Sequence, residues 1–342
     1  MKSPLVKYIC FIILCCTIFC SCKKDSAISV EDEEIITIPM GFPLIDFPAD
    51  NAFTKERWAL GKQLFYDKQL SNSNTISCAS CHKQSVAFSD DVALSIGDNN
   101  TIGTSNAPTL ANVAYHPYYT RAGGVPTLEM QILVPIQEHN EFNTNMIDVI
   151  EKLKQNIIYV QQSKSAYNRE LDAFVITRAL ATFERSLISG NSRFDDYFYK
   201  GNTTALTQSE INGYTLFKSS KTNCSSCHSG FNFTNYAFEN NGLYENYADS
   251  GRMRLTNLPE DRAKFKVPTL RNIALTAPYM HNGSVNTLTE VIEHYTSGGK
   301  NHTNKNGLIK PLTLTTQERQ DIVNFLYSLS DNTFIQNKHF KQ

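Results

Sequence analysis

The chain has 342 residues, of which 41% are hydrophobic and 19% are charged, and its formal net charge at pH 7 is −1. This length allows two modest domains with ordinary hydrophobic cores. Because the charge is balanced and no basic block occurs, the composition excludes nucleic acid as an expected partner. Five of the nine cysteines lie in the first 22 residues and the other four form two pairs, which leaves none for a structural disulfide in the body.

The N-terminus is typical of an export signal. A basic start precedes an apolar run over residues 8–20, which is too short to span a membrane stably. Cys22 follows a small serine, so residues 1–22 predict a bacterial lipoprotein signal with Cys22 as the lipidated residue; an ordinary signal peptide or an uncleaved anchor is the alternative. We therefore expect a lipid-anchored protein on the periplasmic side of an outer membrane, or at the cell surface. The acidic residues 23–50 predict a flexible tether.

The remaining chain contains two halves with one plan. "LGKQLF" precedes the first cysteine pair and "NGYTLF" precedes the second. "APTLANVA" at 107–114 is matched by "VPTLRNIA" at 267–274, which lies 160 residues later. Matches in the same order predict an ancient duplication. We expect an N-terminal domain over 51–200 and a C-terminal domain over 201–342.

Helical periodicity dominates both halves. "LDAFVITRALATFERSL" at 171–187 places its apolar residues at helical spacing, and Thr315 with Glu318 predicts a capping box at the start of the last clear helix. No sustained alternation predicts a large sheet. Loops rich in glycine, asparagine and proline cover 97–126, 229–260 and 297–311. The predicted fold class is mainly α, with two small helical domains and long loops.

Each body cysteine pair belongs to a Cys-x-x-Cys-His motif. The two motifs are Cys78, Cys81 and His82, and Cys224, Cys227 and His228. Covalent haem attachment needs two thiols for the vinyl groups and an imidazole for the iron, and this motif supplies them. A four-cysteine zinc site would need neither histidine, and thioredoxin-like chemistry would use one pair in a βαβ setting. The sequence therefore predicts two covalent c-type haems, one in each domain.

Residues from about 55 to 330 resemble the bacterial dihaem cytochrome c peroxidases and the related MauG-type enzymes. The matching segments are "LGKQLFYDKQLS", "SCASCHKQSVAFSD", "NAPTLANVAY", "LEMQILVPIQEHNEF", "CSSCHSG" and "KVPTLRNIALTAPYMHNGSVNTLTEVIEHY". The resemblance implies two cytochrome c-like domains, hydrogen peroxide as substrate, and a small cytochrome c or cupredoxin as electron donor. It also makes a homodimer an expectation.

The resemblance implies that the first haem carries the peroxide chemistry. Gln131 and Glu141 match the residues that line its open face in the family, and a positioned carboxylate can move a proton between the peroxide oxygens. The alternative for Glu141 is a solvated loop acid beside Glu138. Thr104 stands where some members carry a histidine that closes the oxidised first haem, so we expect an iron that is open without prior reduction. His116 lies nearby and is interpreted as a loop residue.

One departure concerns electron transfer between the haems. The family places a tryptophan there, and this sequence has Arg121 at the matching position. The only tryptophan, Trp58, belongs to an early predicted helix and is interpreted as core packing. Tyr118 and Tyr119 are alternative routes for electrons that the sequence does not decide between.

The second haem also departs from the typical peroxidases. Where they carry a methionine as the sixth iron ligand, this sequence has Tyr295, as in MauG. A phenolate would stabilise ferric iron and lower the potential; the alternative is a packed helix aromatic. Met280, His281 and His294 are rival ligands. His281 matches a family histidine that lies near the haems without binding iron, and His294 is predicted on the opposite helix face.

The resemblance further implies a calcium ion between the domains. Asn112, Thr276 and Pro278 match its family ligands, of which only the asparagine contributes a side chain, so waters would complete the shell. An ordinary turn asparagine is the alternative. Lys266 matches a residue that binds a haem propionate, with a surface lysine as the alternative.

The resulting prediction is a peroxidase in which the second haem accepts electrons and the first reduces hydrogen peroxide to two waters. The alternative is a MauG-like oxidase that uses high-valent iron to oxidise a protein or a small molecule. A pure electron carrier with two closed irons is a third interpretation, against which Gln131 and Glu141 argue.

Overall fold

The computed structural model describes residues 35–342. The predicted signal with Cys22, and the first part of the predicted tether, lie outside these residues. In the described part the fold is mainly helical, as predicted, and its one sheet pairs β1 (Phe238–Glu239) with β2 (Phe265–Lys266) antiparallel. None of the described helices combines the length and the hydropathy needed to cross a membrane.

The described residues form thirteen α-helices, joined by connections of very different length. They are, in chain order, α1 (Lys55–Tyr66), α2 (Cys78–Cys81), α3 (Leu128–Gln131), α4 (Leu133–Gln137), α5 (Met146–Lys154), α6 (Ile157–Tyr167), α7 (Ala173–Arg185), α8 (Arg193–Phe198), α9 (Gln208–Lys218), α10 (Met253–Thr256), α11 (Leu288–Ser297), α12 (Thr316–Tyr327) and α13 (Asn332–Gln336). The predicted capping box is present at the start of α12, where Thr315 and Glu318 exchange hydrogen bonds.

Each half is built on one closely packed helix pair. In the first half α1 crosses α7 at Gly61, where a Cβ atom would lie 1.9 Å from the carbonyl oxygen of Ala179. In the second half α9 crosses α12 at Gly213, where a Cβ atom would lie 1.9 Å from the carbonyl oxygen of Asp321. Both crossings need glycine because only glycine lets the two backbones approach this closely. The repeat predicted from the sequence is therefore present in the packing.

Two hydrophobic cores divide the chain differently from the predicted boundary at residue 200. Phe194 of α8 packs in the second core with Phe233 and Phe325. Phe334 and Phe340 return to the first core, where both contact Phe88. Burial of these aromatic rings, which a boundary drawn on repeats does not consider, assigns the segments to their cores.

The predicted flexible tether is wrong over residues 35–50. Ile36 is only 2% exposed, and the ring of Phe42 lies 4.7 Å from that of Phe231 and 6.1 Å from that of Tyr115. The acidic average composition of 23–50 concealed these apolar side chains. Their burial stabilises this segment against the body.

A buried ion pair supports each half. Arg185 at the end of α7 donates two hydrogen bonds to Glu129 of α3, at 2.5 and 2.9 Å. Arg271 donates to both carboxylate oxygens of Asp195 in α8, at 2.7 and 2.6 Å. All four side chains are buried, so removing one partner would leave an uncompensated charge in the interior.

Candidate active site

The first Cys-x-x-Cys-His motif holds its histidine in the form that binds iron. His82 follows α2, and its Nδ1 atom lies 2.9 Å from the carbonyl oxygen of Phe88. A carbonyl oxygen can only accept, so Nδ1 carries the hydrogen and Nε2 keeps the lone pair. Burial lowers the pKa of His82, which keeps the imidazole neutral. The backbone thus orients the ring for a ligand on Nε2.

The second motif repeats this arrangement. His228 Nδ1 lies 3.1 Å from the carbonyl oxygen of Phe233, and burial lowers the pKa of this histidine as well. The motif cysteines are free thiols: Cys78, Cys81, Cys224 and Cys227. The zinc alternative requires a group of three or more His, Cys, Asp or Glu side chains that could hold a metal ion. Within residues 35–342 no such group is present. Two thiols and one oriented imidazole in each half fit two c-type haems.

Glu141 faces the first motif. Its charge raises the pKa of both Cys78 and Cys81, behind larger contributions such as burial. A turn positions it: the N–H of Phe142 donates to the carbonyl oxygen of Pro135 at 3.1 Å, and the N–H of Asp98 donates to the carbonyl oxygen of Glu141 at 2.7 Å. This turn brings the carboxyl group back from the end of α4 toward the motif.

The environment of Glu141 suits proton transfer near neutral pH. Loss of solvation, and secondarily the charge of Glu138, raises the pKa of Glu141 to about 7. Glu141 is nevertheless an exposed residue, so the carboxyl group can exchange protons with water. A raised pKa is what a general acid or base needs. The exposure of the residue leaves the solvated loop acid as the alternative.

Gln131 and Thr104 lie in the same half. Gln131 is the last residue of α3 and is half-buried. Thr104 lines a cleft of about 500 Å³ together with Glu138, and residues of the second half, including Asp249 and His281, form its other wall. Thr104 offers no ring nitrogen to an iron atom, so it cannot replace the closing histidine found in some family members.

Arg121 and Lys266 form a basic cluster between the halves. The Arg121 side chain donates to the carbonyl oxygen of Asn106 through Nε at 2.9 Å and through Nη2 at 2.6 Å. The N–H of Lys266 donates to the carbonyl oxygen of Arg121 at 2.8 Å. Burial lowers the pKa of Arg121 to about 10, and burial together with the charge of Arg121 lowers that of Lys266 to about 8. Two neighbouring, partly buried cations favour an anionic group beside them.

Two histidines adjoin this cluster. His281 stacks on Phe265 with ring centroids 4.2 Å apart, and burial followed by the charge of Arg121 lowers its pKa to about 4. His116 Nδ1 lies 3.5 Å from Lys266 Nζ. Burial, followed by the charge of Lys266, lowers the pKa of His116 to about 3. Both imidazoles are therefore neutral. Sequence reasoning interpreted His116 as a loop residue and missed its contact with Lys266, because the two residues are 150 positions apart.

Tyr295 of α11 faces the second motif. It is partly buried. Burial raises its pKa, a hydrogen bond with Asn241 lowers it in part, and the charges of Cys224 and Cys227 raise it further. The rival ligands have other partners. Met280 Sδ accepts a hydrogen bond from Asn241 Nδ2 at 3.2 Å, and His294 Nε2 lies 3.0 Å from the carbonyl oxygen of the same asparagine.

The residues matched to the calcium site take part in protein hydrogen bonds. Asn112 Nδ2 donates to the carbonyl oxygen of Ser189 at 2.9 Å and to Asn232 Oδ1 at 3.1 Å, and its Oδ1 accepts from the N–H of Ser189 at 2.9 Å. Thr276 Oγ1 donates to a nearby carbonyl oxygen, and Pro278 follows a cis peptide bond. The calcium site stays a prediction.

Two family models match separate segments of the chain, and the first of these segments contains the first motif. Residues 55–204 match the family model described as di-haem cytochrome c peroxidase. Residues 265–296 match a family model described as RoxA-like, cytochrome c-like. The second match includes the basic cluster residue Lys266 and Tyr295.

Individual relatives extend the similarity over most of the chain. The methylamine utilization protein MauG of Methylorubrum extorquens is 34% identical over 83% of this chain and 81% of its own length. The cytochrome c551 peroxidase of Nitrosomonas europaea is 37% identical over 68% of this chain and 71% of its own. The crystal structure of a MauG-like protein associated with microbial copper homeostasis superposes with a TM-score of 0.84 at 32% identity, covering 89% of this chain and 98% of that one.

Proposed function

The chain belongs to the dihaem cytochrome c peroxidase family, which includes MauG, and we propose that it reduces hydrogen peroxide to water with electrons from a small redox protein. The donor is a small cytochrome c or a cupredoxin. The observation that carries the proposal is Glu141, an accessible carboxyl group with a pKa raised to about 7 beside the first motif only. The balanced reaction consumes one peroxide, two electrons and two protons and releases two waters.

The chain supplies anchors for both cofactors. Cys78 and Cys81, and Cys224 and Cys227, form the thioether bonds, while the Nε2 atoms of the histidines that follow bind iron. When bound, the haems supply electron storage and cleavage of the O–O bond. We assign Lys266 and His281, together with Arg121, to the cofactor edges, because the two partly buried cations would compensate the charge of propionate groups.

The protein groups of the first half move the proton. With peroxide bound, Glu141 would accept a proton from one peroxide oxygen and deliver it to the oxygen that leaves as water. Gln131 orients the peroxide by hydrogen bonding through its side-chain amide. A pKa near the working pH serves both transfers, since the carboxyl group has to accept and then release a proton.

The first test is a spectrum of the fully oxidised holoprotein, followed by turnover with peroxide and reduced cytochrome c. We expect a high-spin ferric signal from the first haem and turnover without a preceding one-electron reduction, because Thr104 cannot close that iron. Two low-spin haems without turnover would contradict the enzyme. A need for prior reduction would contradict only the role given to Thr104.

A second candidate keeps the site and changes the substrate: oxidation of a protein or a small molecule, as in MauG-type enzymes. Tyr295 favours it, because it is partly buried near Cys224 and Cys227, where a typical peroxidase carries methionine. We assign Tyr295 as a ligand of the second iron. Tyr295→Met should raise the potential of the second haem and the turnover with cytochrome c. An unchanged spectrum of the second haem would show that Tyr295 is only a packed aromatic residue.

We further propose export and anchoring through Cys22 at the periplasmic face of an outer membrane. Cys22→Ser should move the protein from the membrane fraction to the soluble fraction and abolish labelling with a radioactive fatty acid. Retention in the membrane would contradict lipidation.

We also propose, from the resemblance to the family, that Asn112, Thr276 and Pro278 bind a calcium ion and that the protein forms a homodimer. Metal analysis of the purified holoprotein before and after chelation tests the calcium ion. Sedimentation analysis tests the dimer, and a single monomeric species would contradict it.

A further inference from the structure

The buried carboxyl group of Glu184 takes no part in the site described above. Glu184 is the penultimate residue of α7 and is 4% exposed. Its Oε2 atom has no hydrogen-bond partner among the described residues. A buried polar atom without a partner is unfavourable, so a carboxyl group in this position calls for an explanation other than packing.

The internal repeat shows what this position carries in the other half. The glycine crossings align Phe183 of α7 with Phe325 of α12. A Cβ atom added to Gly61 or Gly213 would lie about equally close to the Cβ atom of the respective phenylalanine, at 3.0 and 2.8 Å. Beyond the helices, the carbonyl oxygens of Leu187 and Leu329 accept equivalent backbone hydrogen bonds. These fixed points on either side leave no room for a register shift.

Glu184 therefore corresponds to Leu326. Leu326 is also 4% exposed and belongs to the second hydrophobic core. The first half thus places an ionisable group where the second half places an aliphatic one, at equal burial. Simple packing would be served by leucine in both places.

The charges around Glu184 come from several elements. Glu184 raises the pKa of the Cys78 thiol, the attachment point on α2, and also acts on Tyr119 in the preceding loop. Helices α1, α3 and α5 pack against α7, and the charges that act on Glu184 are those of Arg185 on its own helix and Glu129 on α3. Arg185 is engaged by Glu129 in a bidentate pair.

These surroundings raise the pKa of Glu184 toward the neutral range. Burial raises the pKa of Glu184 to about 8; Arg185 lowers it in part and Glu129 raises it. The group therefore lies close to its midpoint near neutral pH, in a half of the molecule whose cofactor changes charge.

We propose that Glu184 holds a proton whose uptake and release accompany the gain and loss of one electron in the first half. On reduction the redox protein supplies the electron and solvent supplies the proton. One O–H bond forms on the Glu184 carboxylate, and no other bond changes; oxidation reverses the step. The physical reason is that an electron added in a poorly polarisable interior is stabilised by a compensating positive charge. The inference rests on the proposed function only in requiring a haem at Cys78 and Cys81.

The test is the pH dependence of each haem's reduction, measured by spectroelectrochemistry on the holoprotein. Near pH 8, reduction of the first haem should become up to tenfold less favourable for each unit by which the pH rises. This factor corresponds to a fall in reduction potential of about 59 mV for a one-electron couple. Glu184→Gln should abolish this dependence at the first haem and leave the second haem unchanged. Glu151→Gln, which alters an exposed carboxyl group of the same half, is the control and should retain it. An unchanged dependence in Glu184→Gln would overturn the proposal.

A second measurement does not depend on the folding of a variant. In infrared difference spectra of the wild-type holoprotein, reduction should produce a protonated-carboxyl C=O band that shifts on ¹³C-glutamate labelling. Absence of such a band overturns the proposal. Neither measurement uses peroxide, so a wild-type protein without turnover would contradict the proposed function and leave this inference standing.

Discussion

The two halves differ in the helix that follows the N-cap threonines Thr127 and Thr287. The two threonines themselves occupy equivalent positions of the repeat. In the second half this helix, α11, runs ten residues and ends at Gly298 in the left-handed region. In the first half it is divided into the short helices α3 and α4. The position of Tyr295 is taken there by Pro135, which lies 160 residues earlier.

Proline changes both the chemistry and the backbone at this position. It offers no ligand atom to an iron and no N–H to a helix. Its carbonyl oxygen and that of Ile136 accept from Phe142 and Thr144 instead, at 3.1 and 3.0 Å. The chain thereby folds back and carries Glu141 toward Cys78 and Cys81. One scaffold thus yields a half with a proton-transfer group and a half with a ligand-capable tyrosine, through local changes after the same cap.

The largest expected effect tests this difference at Glu141. Glu141→Gln should lower peroxide turnover by about 100- to 10,000-fold, because an amide cannot shuttle the proton. In the wild type the carboxylate is the proton acceptor, and its pKa of about 7 makes turnover rise as the pH increases through about 7. The variant should lose this limb in a stopped-flow pH profile.

Glu138→Gln is the matched control for that experiment. It should keep turnover and move the limb to lower pH, because the charge of Glu138 contributes to the raised pKa of Glu141. If Glu141→Gln lost less than tenfold in turnover, the functional difference between the halves would have to lie elsewhere.

Removing the buried ion pair of either half should lower the stability of the protein by a similar amount. Arg185→Met leaves Glu129 without its partner, and Arg271→Met leaves Asp195 without its partner. Each variant should lose about 3–5 kcal/mol in the free energy of unfolding, measured by urea titration of the holoprotein. The exposed pair Lys154–Glu151 is the control, and Lys154→Met should cost less than about 1 kcal/mol. A small loss for only one of the two arginines would break the similarity.

Substitution of the glycines at the helix crossings should have the smallest effect on stability. Gly61→Ala and Gly213→Ala should each cost about 1–3 kcal/mol, because the added Cβ atom forces α1 from α7 or α9 from α12. Gly307→Ala is the control, since nothing lies within 4 Å of its Cβ position. Thermal melts followed by far-UV circular dichroism would measure all three. Equal losses would sharpen the equivalence of the two helix pairs, and a neutral result at either crossing would contradict the packing.

The features that sequence reasoning predicted correctly are short-range ones. The mainly helical class follows from local periodicity, and the capping box of Thr315 and Glu318 spans one helical turn. Membership of the family follows from linear motifs, and the comparisons confirm it. The roles of Gln131, Glu141 and Tyr295 remain predictions, to which the structure adds burial, neighbours and pKa directions.

The errors and omissions concern contacts between distant residues. The tether was inferred from the composition of 23–50, whereas Ile36 and Phe42 find apolar partners far along the chain. The C-terminal residues Phe334 and Phe340 return to the first core for the same reason. Composition and repeats describe a segment by itself and hold no information about which distant surface it covers.

By itself the sequence determined the two attachment motifs, the duplication and the helical class, because each depends on residues close together in the chain. Only the tertiary structure decided which side chains lose water and which charges meet. It placed Arg121 beside Lys266 and raised the pKa of Glu141, and it left Oε2 of Glu184 buried with no hydrogen-bond partner among residues 35–342. Solvation and electrostatic interaction depend on distance in space, and two residues far apart in sequence have that distance fixed only by the fold.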